Sequence, residues 1–405
     1  MQRRTQIVLR KGRDASLKRF HPWVFSGAIA SVRGKVAEGD IVDVISSEGQ
    51  FLGRGHWQEG SISVRILTFE DEAIDCNFWE SRIARAFEAR KRMPLLKDDS
   101  CPTNAYRLVH GEGDNLPGLI IDVYGNVAVI QAHSAGMFLQ REEISAAIRK
   151  VLGNEIVAIY DKSEATAPFK AGLELRDGYL WRQEGLEDSQ SRLVFENGHK
   201  FIVDWVRGQK TGFFLDQRDN RMLVGRYAQG RRVLNLFCYT GGFSIYALAN
   251  GAVSVDSVDS SATAIEMLEN NVAANFNEQI ALRHKSYTED AIDFMKNSPD
   301  GKYDLIIVDP PAFAKHRGAL DNALRAYKRL NASAIEKVAE SGIVFTFSCS
   351  QAVDRQSFAL AVFSAAAQSG RKVRIIGRLT QPADHPVNIY HPEGEYLKGL
   401  VLYVE

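Results

Sequence analysis

The sequence predicts an α/β protein with a parallel, Rossmann-like sheet in its C-terminal half. A small β-barrel should precede it, with an α+β unit between the two. Three observations carry this reading. Strand candidates at residues 233–237, 253–258, 303–308 and 342–347 are separated by helix-length segments, and right-handed crossovers make such strands parallel. The first 75 residues hold short, closely spaced runs that alternate apolar and polar positions. The middle mixes a helical pattern with a hairpin. A chain of 405 residues needs more than one core, and the boundaries read as 1–75, 76–183 and 190–405.

Apolar residues at 45% and charged residues at 25% are the proportions of a soluble globular protein. No apolar run approaches the roughly 18 residues of a membrane span. The opening Met-Gln-Arg-Arg-Thr-Gln has no apolar signal core. Cys76, Cys101, Cys238 and Cys349 make no C-x-x-C pair, which argues against zinc and a disulfide framework. A reducing cytoplasm is the expected setting, with no metal and no membrane partner. The 50 basic and 50 acidic residues cancel, so net charge points to no polyanion. Distribution says more. Arg3, Arg4, Arg10, Lys11, Arg13, Lys18 and Arg19 face only Asp14, as in a phosphate-contacting arm or a solubilising one.

Taken in order, residues 41–45 read as a strand set off by Gly39-Asp40, and Ser47-Glu48-Gly49 turns the chain into 51–55. Ile62, Val64 and Ile66 alternate with Ser61, Ser63 and Arg65 as a half-buried strand, and strands this short predict a barrel. Residues 75–97 read as a helix burying Phe78, Ile83, Ala86 and Phe87, with Arg82, Arg85, Arg90, Lys91 and Arg92 toward solvent or RNA. Met93-Pro94 and the 98–102 run end it. Residues 119–123 and 127–132 make a hairpin, a helix follows around 138–152, and strands near 156–160 and 173–180 close the unit. His110 reads as a loop residue rather than a ligand, and the polar stretch 184–190 as a linker.

The richest stretch is 232–244. Its strand enters Cys238-Tyr239-Thr240-Gly241-Gly242, and residues 243–248 begin a helix. Strand, glycine turn and helix start expose backbone N–H groups to a ligand. The third glycine of a dinucleotide site is missing, and Phe243 stands where pyrophosphate would approach. The next strand ends at Asp259, placed to hold two ribose hydroxyls. An adenosine without a diphosphate suits these features, and S-adenosylmethionine is such a ligand. Phe237, Tyr239, Thr240, Gly241, Gly242 and Asp259 are its expected contacts, with Glu289-Asp290-Ala291 reaching the adenine.

Residues 210–221 are too charged for a core helix and too aromatic for a free loop. They read as packed against the ligand, with Gln217, Arg218 and Arg221 offering donors to a carboxylate such as that of methionine, or as a helix start carrying surface charge. The strand 303–308 runs into Asp309-Pro310-Pro311-Ala312-Phe313, whose prolines fix the turn. The strand 342–347 runs into Ser348-Cys349-Ser350. Gly241, Asp259, Asp309 and Cys349 therefore share the strand-end edge where open α/β sheets bind ligands. Cys238 reads as packing beneath the glycine turn.

His21-Pro-Trp-Val-Phe-Ser-Gly27, Gly39-Asp-Ile-Val42 and Phe51-Leu-Gly-Arg-Gly55 resemble a PUA domain, an RNA-binding barrel. The glycine loop, Asp259, Glu289-Asp-Ala291, Asp309-Pro-Pro311, Ser348-Cys-Ser350 and Phe213–Arg221 resemble class I S-adenosylmethionine-dependent RNA methyltransferases. With the barrel, Asp384-His-Pro386 and Pro392-Glu-Gly-Glu-Tyr-Leu-Lys-Gly399, nearly the whole chain resembles the bacterial 23S rRNA cytosine-C5 methyltransferases. The resemblance implies methylation of one cytosine, with Cys349 as nucleophile and Asp309 beside it. It implies 23S rRNA as partner before full subunit assembly, contacted by Arg10, Lys11, Arg13, Lys18 and Arg19. A homodimer is left open. Many such enzymes carry a second cysteine where this chain has Ala312, so a single-cysteine mechanism is implied. Asp309, Asp384 and Glu393 are candidates for the proton-abstracting base. Guanine-N7 or uracil-C5 methylation, or a non-catalytic assembly role, are the alternatives.

Overall fold

The computed structural model describes residues 4–96, 101–168, 172–185, 191–314 and 317–405. Arg3, the last residue of the predicted 75–97 helix, positions 98–100 of the run after it and 186–190 of the linker lie outside the described residues. Two compact units divide the chain. The first takes Met1–Gly198, Val203–Leu215 and Ala383–Gly394; the second takes His199–Ile202, Asp216–Pro382 and Glu395–Glu405.

In the first unit, six strands lie in the order Trp23–Phe25, Ile62–Thr68, Phe51–Trp57, Ile41–Ile45, Gln6–Leu9, Ile29–Arg33. Gln6–Leu9 and Ile41–Ile45 run parallel, and the other neighbours antiparallel. Alternation turns Ile7, Leu9, Val42, Val44, Val64 and Ile66 into one core. A Cβ on Gly55 would stand 2.0 Å from the Arg65 carbonyl, so these strands approach closely around a glycine. Ser63, predicted on a solvated face, is buried and donates to the Gly60 carbonyl at 3.1 Å.

A second sheet follows, ordered Gly178–Arg182, Ala158–Asp161, Val127–Ala132, Leu119–Tyr124, Ala105–His110. The helix Cys76–Arg92 starts where Asp75 caps the Phe78 N–H and ends ahead of Pro94. The predicted 138–152 helix is two, Ala135–Leu139 and Arg141–Leu152, meeting at Gln140. The predicted 173–180 strand is regular over Gly178–Arg182. Arg90 corrects the expectation of a solvated arginine face. It is buried, paired with Asp114 at 2.7 Å, and donates at 2.9 Å to the carbonyls of Arg107 and Asp384. Periodicity placed it outward, but a full set of acceptors makes its burial tolerable. His110 is likewise no loop residue. It ends a strand, its Nδ1 accepts from Arg107 Nη1 at 3.0 Å, and burial pushes its pKa well down.

The second unit holds the predicted sheet. Its order is His284–Thr288, Ser254–Asp259, Arg232–Leu236, Tyr303–Val308, Val338–Ser348, Lys398–Val404, Val373–Leu379. The first five strands are parallel; of the last two, which sequence reading missed, Lys398–Val404 runs antiparallel to both its neighbours, Val338–Ser348 and Val373–Leu379. Strand order reverses between Arg232–Leu236 and Tyr303–Val308, the switch point where such sheets bind ligands. Among the described residues no helix is long and apolar enough to cross a membrane.

Candidate active site

Beyond the switch-point strand, Phe237 and Tyr239 both hold left-handed φ angles, 57° and 48°. Such residues cost about 1–3 kcal/mol each and persist where surrounding structure imposes them. Gly241, at φ 84°, opens the helix Gly242–Ala249. A Cβ on Gly241 would meet Leu268 at 2.7 Å, and one on Gly242 would meet the Arg221 side chain at 2.8 Å. Both glycines are required by packing. Cys238 is buried beneath the turn, and burial with the nearby Asp259 charge pushes its thiol well up, so it is inert.

Asp259 is a fixed acceptor. Its Oδ2 takes the Tyr239 N–H and its Oδ1 the Ser261 N–H, both at 2.9 Å, leaving further lone pairs for hydroxyl donors. Thr240 is buried, and its Oγ1 has no partner within the described residues. An orphaned hydroxyl, strained backbone and an anchored carboxylate fit an adenosine-bearing ligand. Asp290 is exposed and caps the helix Ala291–Asn297 through Oδ1. The strand before it is His284–Thr288.

Gln217, Arg218 and Arg221 are buried, as a ligand-facing or structural role requires and a surface helix start does not. Gln217 directs its amide at Asp309 Oδ2 (3.1 Å), and its carbonyl accepts from Asn220 at 2.6 Å. Arg218 Nε lies 3.6 Å from Asp219. Burial, then the charge of Asp216, pushes Asp309 up to about 7, against the Gln217 bond and Arg221.

Cys349 is half-buried and follows the Val338–Ser348 strand. The buried serines on either side of it both bond the Tyr327 hydroxyl, at 2.9 and 3.0 Å. Ser350 Oγ also accepts the Ala314 N–H at 3.3 Å, tying this turn to the one after Asp309. Lys398 pairs across the sheet with Ser348, and its Nζ donates to the Ser350 carbonyl at 2.7 Å. The buried ammonium therefore spans the position of Cys349. Burial pushes it down to about 8, while the Cys349 charge pulls it back up. Sequence reasoning missed both Tyr327 and Lys398. A lone lysine opening the apolar run Lys398–Val404 was the available signal.

Asp384 and Glu393 fall in the first unit. Asp384 is buried and accepts the Arg107 N–H at 3.0 Å. Glu393 lies 3.8 Å from Nε2 of both His21 and His391. These three could in principle hold a metal, their ligand atoms lying within 4.8 Å. However, His21 Nδ1 accepts the Trp23 N–H, which leaves the proton on Nε2 in the neutral ring. Arg10, Lys11, Arg13, Lys18 and Arg19 are all exposed.

Comparison with known proteins adds to this geometry. Residues 180–395 match the S-adenosylmethionine-dependent methyltransferase family, and residues 7–69 a PUA-like domain. Ribosomal RNA large subunit methyltransferase I of Shewanella amazonensis is 42% identical over 98% of this chain and 99% of its own. The protein of that name from Alteromonas mediterranea is 41% identical over 98% of each. The solved structure of SMU.776, a candidate methyltransferase complexed with SAH, has a TM-score of 0.82 at 24% identity. It covers 98% of this chain and 100% of that one, and speaks for the fold alone.

Proposed function

Because the chain belongs to the ribosomal RNA large subunit methyltransferase I family of S-adenosylmethionine-dependent enzymes, we propose that it methylates carbon 5 of a cytosine in 23S rRNA. S-adenosylmethionine is its methyl donor, and large-subunit ribosomal RNA its substrate. The carbon-5 chemistry rests on one observation: Cys349 stands at the strand-end edge, half-buried, with the Lys398 ammonium across it. The choice of cytosine over uracil rests on the family resemblance.

The bound donor supplies an electrophilic methyl group. Carbon 5 of a pyrimidine is too weak a nucleophile to accept it unaided. The Cys349 thiolate bonds to carbon 6, opening the 5,6 double bond and making carbon 5 enolate-like. After transfer, a base takes the carbon-5 proton, the double bond re-forms and the sulfur–carbon bond breaks. Lys398 favours the thiolate by charge, and Tyr327 holds the turn that aims it. Asp309, with its raised pKa, is an acid or base at the neighbouring strand end. Gly241, Gly242, Thr240 and Asp259 would hold the adenosine, with Phe237 and Tyr239 flanking it. Gln217 positions Asp309, while Arg218 and Arg221 serve the donor's carboxylate end. The target base must leave its stack to reach this edge, which favours RNA not yet folded into the subunit. The cytoplasm is the fitting compartment.

The test is direct. Cys349→Ala should keep donor affinity near wild type and abolish methylation. Wild-type enzyme should be trapped on RNA carrying 5-fluorocytosine, since fluorine cannot leave as a proton. Methylation by Cys349→Ala at a comparable rate would place the chemistry elsewhere.

A further inference from the structure

The first unit carries a cluster of rings that its core does not use. Phe20 is 49% exposed, Phe25 46% and Tyr390 50%, and Ile389 beside Tyr390 is 84% exposed. The Phe20 ring sits 5.3 Å from Phe69 and 5.4 Å from Tyr390. Phe25 stands 6.1 Å from His21 and 6.2 Å from Trp23, and Trp23 lies 4.2 Å from His391. Two stretches 370 residues apart, at Phe20 and Tyr390, thus build one aromatic face within one compact unit.

This face is held, not loose. Asn388 donates to the Glu112 carbonyl at 3.1 Å, and Pro386 lies against Gly113 so closely that a Cβ there would stand 1.9 Å from its carbonyl. Trp23 Nε1 donates to Glu112 at 2.8 Å. Phe20 itself has φ 62°, closing the turn Leu17–Arg19 with its N–H on the Leu17 carbonyl. A bulky residue in the left-handed region is strained, and here the strain projects an apolar ring into solvent. Strain and half-exposure at one residue, offset only by its ring contacts with Phe69 and Tyr390, point to a ligand.

The surroundings say which kind. Arg19 immediately precedes Phe20. Arg10 is fixed beside the turn after Phe25, its N–H on Ala28 and its Nε on Ile29, at 2.9 and 3.0 Å. Lys11 and Arg13 are exposed between them, and Lys18 pairs with Asp14, the segment's lone acid. Glu112, held by Trp23, and Glu393, near His21 and His391, are the acids beside the rings. Exposed rings bordered by cations suit unpaired bases and their phosphates, because every base offers a face to stack. A protein partner would need acidic groups against this rim.

We propose that Phe20, Phe25 and Tyr390 form a stacking platform for unpaired bases of single-stranded RNA, with Arg13 and Arg19 on the phosphates. This deepens the RNA substrate proposed above and does not depend on which atom is methylated. It also gives the Ala383–Gly394 segment a substrate-binding role.

The test is fluorescence anisotropy of full-length protein with a labelled single-stranded RNA about 12 nucleotides long, within the usual span of such sites. Phe20→Ala and Tyr390→Ala should each weaken binding about 5- to 100-fold, the range for losing one stacked base. The dependence of affinity on salt and the affinity for S-adenosylhomocysteine should stay as in wild type. Phe20→Trp, which keeps a ring, should retain binding and shows that the position itself is tolerated. Unchanged RNA affinity in both alanine variants overturns the platform. So does a wild-type dimer in sedimentation that these variants break while RNA binding persists, because the face would then be a contact between copies. A wild-type protein that binds RNA through these rings yet methylates none would sink the catalytic reading and leave the platform standing.

Discussion

Burying an ammonium beside a thiol couples their titrations, and Lys398 with Cys349 is such a pair. Burial favours the neutral amine, yet a thiolate alongside favours the cation. The ion pair needs a charged Lys398 and is therefore lost as pH rises through about 8. Lys398→Met should make thiolate formation harder and move the acid limb of the kcat/KM profile up by about one unit, worth ~1.4 kcal/mol. The gap from wild type should narrow above pH 8 as the lysine loses its own proton. Lys398→Arg should restore the limb. A Lys398→Met profile that superimposes on wild type would reduce Lys398 to a structural strut. At the opposite strand end, Asp259→Ala should weaken S-adenosylhomocysteine binding by about 1–3 kcal/mol, as measured by titration calorimetry. Equal affinity would remove Asp259 from the site.

At the scale of elements, the strand-to-helix turn holds the most strain. Phe237, Tyr239 and Gly241 all have positive φ, and Leu268 closes on Gly241 from the next helix. Gly241→Ala should lower stability by about 1–3 kcal/mol, read as a shift in denaturant midpoint, because the new methyl is strained and has no space. A variant as stable as wild type would show that the loop can re-form elsewhere. The central parallel strands were legible here because each is a short, largely apolar run buried on both faces, whereas the polar, half-exposed edge strand His284–Thr288 carries no such mark. The antiparallel pair Val373–Leu379 and Lys398–Val404 was not, since Arg374 and Arg378 interrupt the first. The helix expected over 138–152 split at Gln140, a boundary that no strong breaker marks in sequence.

Across the whole molecule, zero net charge conceals a basic N-terminal segment. The Lys11 and Arg13 side chains are exposed, so their charge is available to phosphate. Changing both to Gln should leave folding untouched and lower RNA affinity. The slope of log affinity against log salt should fall by up to ~0.7 per lost single-strand contact. An unchanged slope would make the segment a solubilising arm.

Sequence alone determined the α/β class and the placing of the glycine turn, Asp259, Asp309 and Cys349 at strand ends, because each lies at the end of a local pattern whose period and punctuation are written within a dozen residues. Tertiary structure decided what those residues face. Lys398 reaches the Cys349 turn by strand pairing, 49 positions on in the chain. Arg90 looked solvated until Asp114 and the Asp384 carbonyl surrounded it. Tyr390 joins Phe20 because residues 383–394 pack into the first unit. Such contacts depend on packing between distant segments, and no local periodicity records which distant side chain will arrive.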